Sequence, residues 1–306
     1  MARPSTAPRY RGRFAPSPTG PLHMGSLVAA TASYLEAQAN SGDWLLRIEN
    51  IDPPREVAGA ADSIIASLDA HGFEWSGPIR YQSDRTTAHE AAAQELLAAG
   101  LAYPCDCSRR DMRATAKPGP VGPLYPGTCR RKAKEALGPD TALRIRTTPA
   151  LIAFTDELQG PQRCRIDQEV GDFVIRRRDG LIAYVLAGTL DDHAQGISHV
   201  VRGVDLLPVT PAQHWLQRLL GLDRPEYAHV PMVMNDEGQK LSKQTGAAPL
   251  DSRQTGMNLH QALVFLGQAP PNSLARESTD AIWAWARAHW PQSLAAKAAQ
   301  SSFFIT

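Results

Sequence analysis

Short apolar runs alternate with amphipathic stretches over the first hundred residues. Tyr10–Phe14 reads as a strand, and the alanine-rich stretch Leu27–Gln38 as a helix. Trp44–Glu49 is a brief apolar run suited to a buried parallel strand, ended by the polar Glu49-Asn-Ile-Asp52-Pro-Pro segment. Ile64, Ile65 and Leu68 put one apolar face on a helix over Ala60–His71, closed by Gly72. A strand at Ile79–Gln82 and a helix over Thr86–Ala99, stopped by Gly100, complete the series. Strands alternating with helices predict a parallel, nucleotide-binding sheet. In such sheets ligands sit beyond the carboxyl ends of the strands.

The rhythm breaks at Leu101. Residues 101–150 hold three cysteines, many prolines and glycines and two basic clusters, and read as an insertion. Alternation at Leu143–Arg146 and Ile152–Thr155 predicts antiparallel strands, and Phe173–Arg176 with Ile182–Val185 would continue a small sheet. A helix from Tyr184 to Asp192, a strand at Ile197–Arg202 and a helix from Pro211 to Leu220 follow. Strand pieces are expected at 227–234 and 239–242, around the turn Asn235–Gly238. Two helices, Leu259–Leu266 and Thr279–His289, come last. The expected division is 1–100 and 183–246 as halves of one catalytic domain, 101–182 as an inserted α+β subdomain, and 247–306 as a short helical region.

Charge narrows the class. The 32 basic and 31 acidic residues nearly cancel, which excludes holding nucleic acid by bulk charge and leaves local patches. No stretch approaches the length of a membrane-spanning helix, and the basic N-terminus leads into no apolar signal core. Four cysteines in 306 residues make no disulfide framework. A cytoplasmic enzyme is the default expectation, with a monomer as its expected assembly.

Two stretches carry candidate chemistry of one kind. Arg13–Ser26 turns from a strand through Pro16, Pro18, Gly20 and Pro21 into a helix start, offering N–H donors and a helix dipole to an anion. His23 adds a side-chain donor there, and Gly25 lets a phosphate approach the backbone. The alternative is a proline-rich loop with a surface histidine. Lys240-Leu-Ser-Lys243 follows a glycine turn and suits a mobile clamp on a leaving polyphosphate, or else a solvated basic turn. A third stretch points to metal. Cys105, Cys107 and Cys129 supply three thiolates for a structural zinc, with Tyr125 or water as the fourth ligand; free buried thiols are the alternative, and Cys164 stands apart. The basic residues Arg109, Arg110, Arg113, Lys117, Arg130, Arg131, Lys132 and Lys134 of the insertion suit either an RNA-facing surface or an ordinary solvated one.

Pro21-Leu-His23-Met-Gly25 and Lys240-Leu-Ser-Lys243-Gln244 together resemble the HIGH and KMSKS motifs of class I aminoacyl-tRNA synthetases. Arg13–Gly20, Arg47-Ile-Glu49-Asn-Ile-Asp52, Asp191-Asp-His193 and Gly196–Asp205 resemble the glutamyl/glutaminyl branch, in its order, over about residues 11–246. Ser26 departs from the second His of the first motif and Gln244 from the last Ser of the second. The resemblance implies a Rossmann-type catalytic domain and ATP chemistry. It implies that Pro16, His23, Gly25, Ser26 and Lys243 hold ATP, with Mg2+, and that Lys240 and Lys243 stabilise departing pyrophosphate. For glutamate it implies Arg13, Ala15, Ser17, Glu49, Tyr184 and Arg202. Charge agrees, since a zwitterion with two carboxylates wants guanidinium forks and one acid. Asp191-Asp192-His193 is expected to be structural, on a helix beside the pocket.

The end of the chain sixty residues after Lys243, with the Cys-x-Cys…Tyr-x-x-x-Cys insertion, resembles the truncated glutamyl-Q tRNA(Asp) synthetase group. That group lacks the anticodon-binding region. That resemblance implies tRNA-independent activation of L-glutamate and its transfer to the queuosine base in the anticodon arm of tRNA(Asp), and it strengthens the zinc site at Cys105, Cys107, Tyr125 and Cys129. A minimal synthetase charging the 3′ end of tRNA(Glu) and a non-catalytic tRNA-binding module are the rivals.

Overall fold

Strand β1 (Arg11–Phe14) pairs in parallel with β2 (Asp43–Ile48), and β2 with β3 (Arg80–Tyr81). The computed structural model describes residues 9–108, 110–112, 116–120, 122–131, 138, 140–232 and 249–290. Lys240, Lys243 and Gln244, with the strand expected at 239–242, lie outside the described residues, as do Arg109, Arg113, Lys132 and Lys134.

Helices α1 (Met24–Ala39), α2 (Ala60–Ala70) and α3 (Thr86–Ala98) separate the first strands as the alternation predicts. The chain then builds an antiparallel sheet from β4 (Ala102–Cys105), β5 (Ala142–Ile145) and β8 (Val174–Arg176). Between β5 and β8 it makes a hairpin, β6 (Leu151–Asp156) and β7 (Gly160–Arg165), and a short helix α4 (Ile166–Glu169). After α5 (Tyr184–Ala194) come β9 (His199–Gly203), α6 (Thr210–Leu220) and β10 (Glu226–Val230). Strand β10 runs parallel to β9 and to the end of β6.

The two expected strands Leu143–Arg146 and Ile152–Thr155 therefore belong to different sheets. The first pairs with β4 and β8, while the second joins the parallel sheet through Tyr227 opposite Asp156. Ile182–Val185 is not a strand: after one bridge between Arg176 and Ile182, Ala183 caps α5 and Tyr184 is already helical. The tight turn Arg177–Leu181 leaves too little extended chain for a ladder.

Ser198 joins the two parallel sheets. Its N–H donates to Arg11 O at 3.0 Å, and Arg11 N–H donates to Ser198 Oγ at 2.8 Å. The spatial order becomes β3-β2-β1, then β9-β10-β6. The connections leave in opposite directions from the β1/β9 seam, which is where an open sheet leaves a crevice for ligand.

Helix α1 covers β1, β2 and β9, and the last helices, α7 (Thr255–Phe265) and α8 (Thr279–His289), pack on α1. Tyr34, Trp44, Phe73 and Trp283 interlock there with ring centroids 4.9–5.4 Å apart. Edge-on and offset contacts of this kind add to the burial of each ring. Trp290 Nε1 reaches Glu36 Oε1 at 2.7 Å, and Trp283 Nε1 reaches the His71 carbonyl at 2.8 Å. The C-terminal helices thus complete the core beneath the first three strands. A second core lies between α3, the antiparallel sheet, α5 and α6. Among the described residues no helix is long and apolar enough to cross a membrane.

Candidate active site

The seam opens into a cleft of about 510 Å3. Arg13, Ala15, Pro16, Ser17, His23, Gly25, Ser26, Tyr184 and Arg202 all line it. These are nine of the residues that the motifs single out, brought together from β1, the following turn, α1, α5 and β9. Glu49 does not line it. It sits beside the cleft, 6 % exposed, with its N–H bonded to Pro16 O at 2.9 Å and its carboxylate 3.1 Å from Arg47.

Two buried cations face the cleft in different states. Arg13, at the end of β1, is compensated: its Nε lies 3.2 Å from Asp192 Oδ1 on α5. Asp192 also meets Arg47 at 2.8 Å. Burial works to raise the Asp192 carboxyl, but Arg13 and Arg47 outweigh it and hold it below the ordinary carboxylate range. Burial pushes Glu49 up, against the pull of Arg47 and Arg13. Asp191 turns away and takes Arg85, His89 and Gln82. The acidic pair on α5 therefore braces the pocket from behind.

Arg202, on β9 and only 5 % exposed, meets no carboxylate among the described residues. Its Nε donates to His229 Nε2 at 3.0 Å and one terminal nitrogen to the Tyr184 hydroxyl at 3.2 Å. The other terminal nitrogen donates to Thr210 Oγ1 at 2.9 Å and Gln213 Oε1 at 2.7 Å, and its guanidinium lies 5.2 Å from the Tyr227 ring centre. A buried cation held only by neutral groups favours an incoming anion, because desolvation has been met while the charge stays uncompensated.

The helix at the other end of the cleft starts earlier than its apolar pattern suggests, because His23 is the N-cap of α1. Its Nδ1 accepts the Ser26 N–H at 3.2 Å, so in the neutral ring the proton lies on Nε2, 3.2 Å from Ser26 Oγ. His23 takes up one of the amides expected for the anion and presents Nε2–H in its place.

In the antiparallel region the sulfurs of Cys105, Cys107 and Cys129 lie within 4.8 Å of one another, two of them 3.6 Å apart. The Tyr125 hydroxyl is 3.4 Å from both Cys105 and Cys107. Metal–sulfur bonds of about 2.3 Å put tetrahedral sulfurs about 3.8 Å apart, so this donor set fits one tetrahedral metal ion. Arg144 stacks 4.0 Å over the Tyr125 ring and donates to Cys105, and its charge would offset the excess negative charge of three thiolates. Cys164, on β7, is outside the cluster, and burial raises its thiol to about 11. Of the basic residues of the insertion, Arg130 is tied to Asp172 at 2.7 Å, whereas Arg110, Lys117 and Arg131 are exposed.

Sequence reasoning missed Arg47, Asp156, Thr210, Gln213 and His229 as parts of the site. Arg47 stood in the Arg47–Asp52 motif; the others carried no signal, because only the β6–β10 pairing and α6 bring them to the Arg202 side of the cleft.

Residues 9–261 match the model of the tRNA synthetases class I (E and Q) catalytic domain. A curated protein of Dechloromonas aromatica named glutamyl-Q tRNA(Asp) synthetase is 51 % identical over 92 % of this chain and 94 % of its own. One of the same name from Pseudomonas aeruginosa is 49 % identical over 92 % and 93 %. The solved glutamate tRNA ligase of Elizabethkingia meningosepticum, in complex with its amino acid, superposes with a TM-score of 0.72 at 26 % identity, over 90 % of this chain and 64 % of that one. With its cleft at the β1/β9 seam and these relatives over nearly its whole length, the chain belongs to the class I tRNA synthetases of the E and Q branch, among the glutamyl-Q tRNA(Asp) synthetases.

Proposed function

We propose that the enzyme activates L-glutamate with ATP, without tRNA, and transfers the glutamyl group to the queuosine base at the wobble position of tRNA(Asp). The observation that carries the amino-acid assignment is Arg202, a buried guanidinium with neutral partners at the floor of the cleft. One glutamate carboxylate meets Arg202 and the Tyr184 hydroxyl, and the second lies toward Arg13, whose charge is shared with Asp192. The ammonium lies toward Glu49, whose carboxylate is held beside the cleft by Arg47 at 3.1 Å. Ala15 and Ser17 supply the wall beside Arg13.

An α-carboxylate oxygen of glutamate attacks the α-phosphorus of ATP. The new bond between the carboxylate oxygen and the α-phosphorus forms as the bond to the bridging oxygen of the β-phosphate breaks, and pyrophosphate leaves; Mg2+ bound with ATP would supply further charge neutralisation there. Pro16, His23 Nε2–H, Gly25 and Ser26, at the start of α1, face the phosphates. Lys240 and Lys243 take the role given by the family resemblance, neutralising the leaving pyrophosphate. In the insertion, Cys105, Cys107, Cys129 and Tyr125 hold one structural zinc, which ties β4 to the turn at 125–129. The exposed Arg110, Lys117 and Arg131 suit contact with the tRNA backbone.

Exchange of labelled pyrophosphate into ATP tests the first half. It should require glutamate and proceed without tRNA. Exchange that starts only on addition of tRNA would contradict the proposal.

A further inference from the structure

Arg202 Nε–H can only donate, so the His229 Nε2 that faces it at 3.0 Å must be an unprotonated acceptor. The imidazole proton then lies on Nδ1, which meets Asp156 Oδ2 at 2.5 Å. Asp156, on β6, is fixed in turn. Its Oδ1 accepts the backbone N–H groups of Leu158, Gln159 and His229 at 3.1, 2.8 and 3.1 Å. Both side chains are buried, at 1 % and 0 % exposure. We propose that Asp156 and His229 are positioning residues for the substrate-facing Arg202: Asp156 selects the imidazole tautomer, and His229 fixes the plane of the guanidinium.

The geometry leaves Arg202 little freedom. His229 holds Nε, Thr210 and Gln213 hold one terminal nitrogen, and the remaining edge meets Tyr184 and the cleft. Thr210 Oγ1, 3.3 Å from His229 Nε2, closes the ring of contacts. Burial first, then the neighbouring Arg202 charge, push His229 down against the pull of Asp156, in keeping with a neutral ring at neutral pH. A buried carboxylate fixing an imidazole that in turn orients a reactive group is the logic by which outer partners tune inner ones. Arg202 recognises its carboxylate through one available edge, so a rotated plane costs affinity without altering any group that touches substrate.

The inference rests on the glutamate reading of the cleft. Asp156→Asn discriminates sharply, because the three backbone donors at Oδ1 require the amide oxygen there. The amide NH2 then occupies the Oδ2 position and faces Nδ1, driving the imidazole proton to Nε2, donor against donor with Arg202. The tests are 15N NMR of His229 in the unsubstituted protein and pyrophosphate exchange of variants. The wild type should show Nε2 unprotonated at neutral pH. Asp156→Asn should raise the KM for glutamate at least about tenfold and leave the KM for ATP within about twofold. His229→Leu should match it. His229→Gln, whose amide oxygen reaches the Nε2 position, should stay within about threefold of wild type. A protonated Nε2 in the wild type, an unchanged glutamate KM in Asp156→Asn, or equal losses in His229→Leu and His229→Gln would overturn the proposal. Absence of glutamate-dependent exchange in the wild type would instead overturn the functional reading, and the tautomer would still decide the dyad.

Discussion

At the scale of the residue, charge accounting around Arg13 and Arg202 separates two guanidiniums that the sequence presents as equivalent. Arg13 is neutralised by Asp192, whereas the described partners of Arg202 are neutral. Removing Arg202 therefore deletes the uncompensated charge. Arg202→Met should lower kcat/KM for glutamate by roughly 30-fold or more, the effect of losing one member of a buried charged contact worth about 2–5 kcal/mol. The KM for ATP should move little, and equal loss for both substrates in pyrophosphate exchange would contradict the assignment. Arg13, Glu49 and Arg202 were singled out because each stands in a short motif with a recognisable neighbour; Arg13, Arg202 and Tyr184 line the cleft, and Glu49 sits beside it. His229 and Asp156 were not, since 73 positions separate them in the chain and one parallel strand pairing puts their side chains 2.5 Å apart. Lys240 and Lys243 are assigned through the resemblance, so Lys243→Ala is the direct check on them. It should slow adenylation far more than it weakens glutamate binding, because the lysine acts on charge that develops only in the transition state.

At the scale of the element, the alternating strands and helices were readable, and the failures have local causes. A period-two pattern at Ile182–Val185 also fits the approach to a helix cap, and Tyr184 belongs to α5. The start of α1 was placed too late because histidine is not among the usual N-cap residues, yet His23 does the capping through Nδ1. The pairing of β6 with β10 rather than with β5 could not be read, since strand patterns carry no partner. The residues of the Cys-x-Cys…Tyr-x-x-x-Cys spacing, Cys105, Cys107, Tyr125 and Cys129, do converge in space. Purified protein should hold about one zinc per chain. Stripping it with a strong chelator should lower the melting temperature, because cross-linking β4 to the turn at 125–129 is folding free energy. Cys129→Ser should reproduce that loss, and zinc content near zero in protein prepared without chelator would contradict the site.

At the scale of the whole molecule, pH is the variable that reads the buried histidines. His71, His199, His214 and His229 are all pushed down by burial, His214 to about 4. Native imidazoles resist protons that the unfolded chain accepts near 6.5, so the unfolded state binds more protons and stability falls as pH drops from about 6.5 toward 4. The contribution of His214 alone is on the order of 3 kcal/mol. Asp156, Asp191 and Asp192, held below 3.8, keep their contribution through that window and lose it only as pH falls through their lowered values. Glu49 and Glu157, raised by burial, act in the opposite sense above 4.5. With four histidines set against two glutamates, thermal melts should give a lower midpoint at pH 5.5 than at pH 7.5; a higher one would contradict the burial pattern.

The RNA partner is the least legible part of this scale. A net charge of +1 names no nucleic acid, and the queuosine acceptor is proposed from the relatives. The decisive measurement is therefore the position of the label after reaction of radiolabelled glutamate, ATP and queuosine-containing tRNA(Asp), followed by cleavage of the tRNA into anticodon and acceptor fragments. The label should stay with the anticodon fragment and survive removal of the 3′ terminus. Label that leaves with the 3′ terminal adenosine would contradict the account.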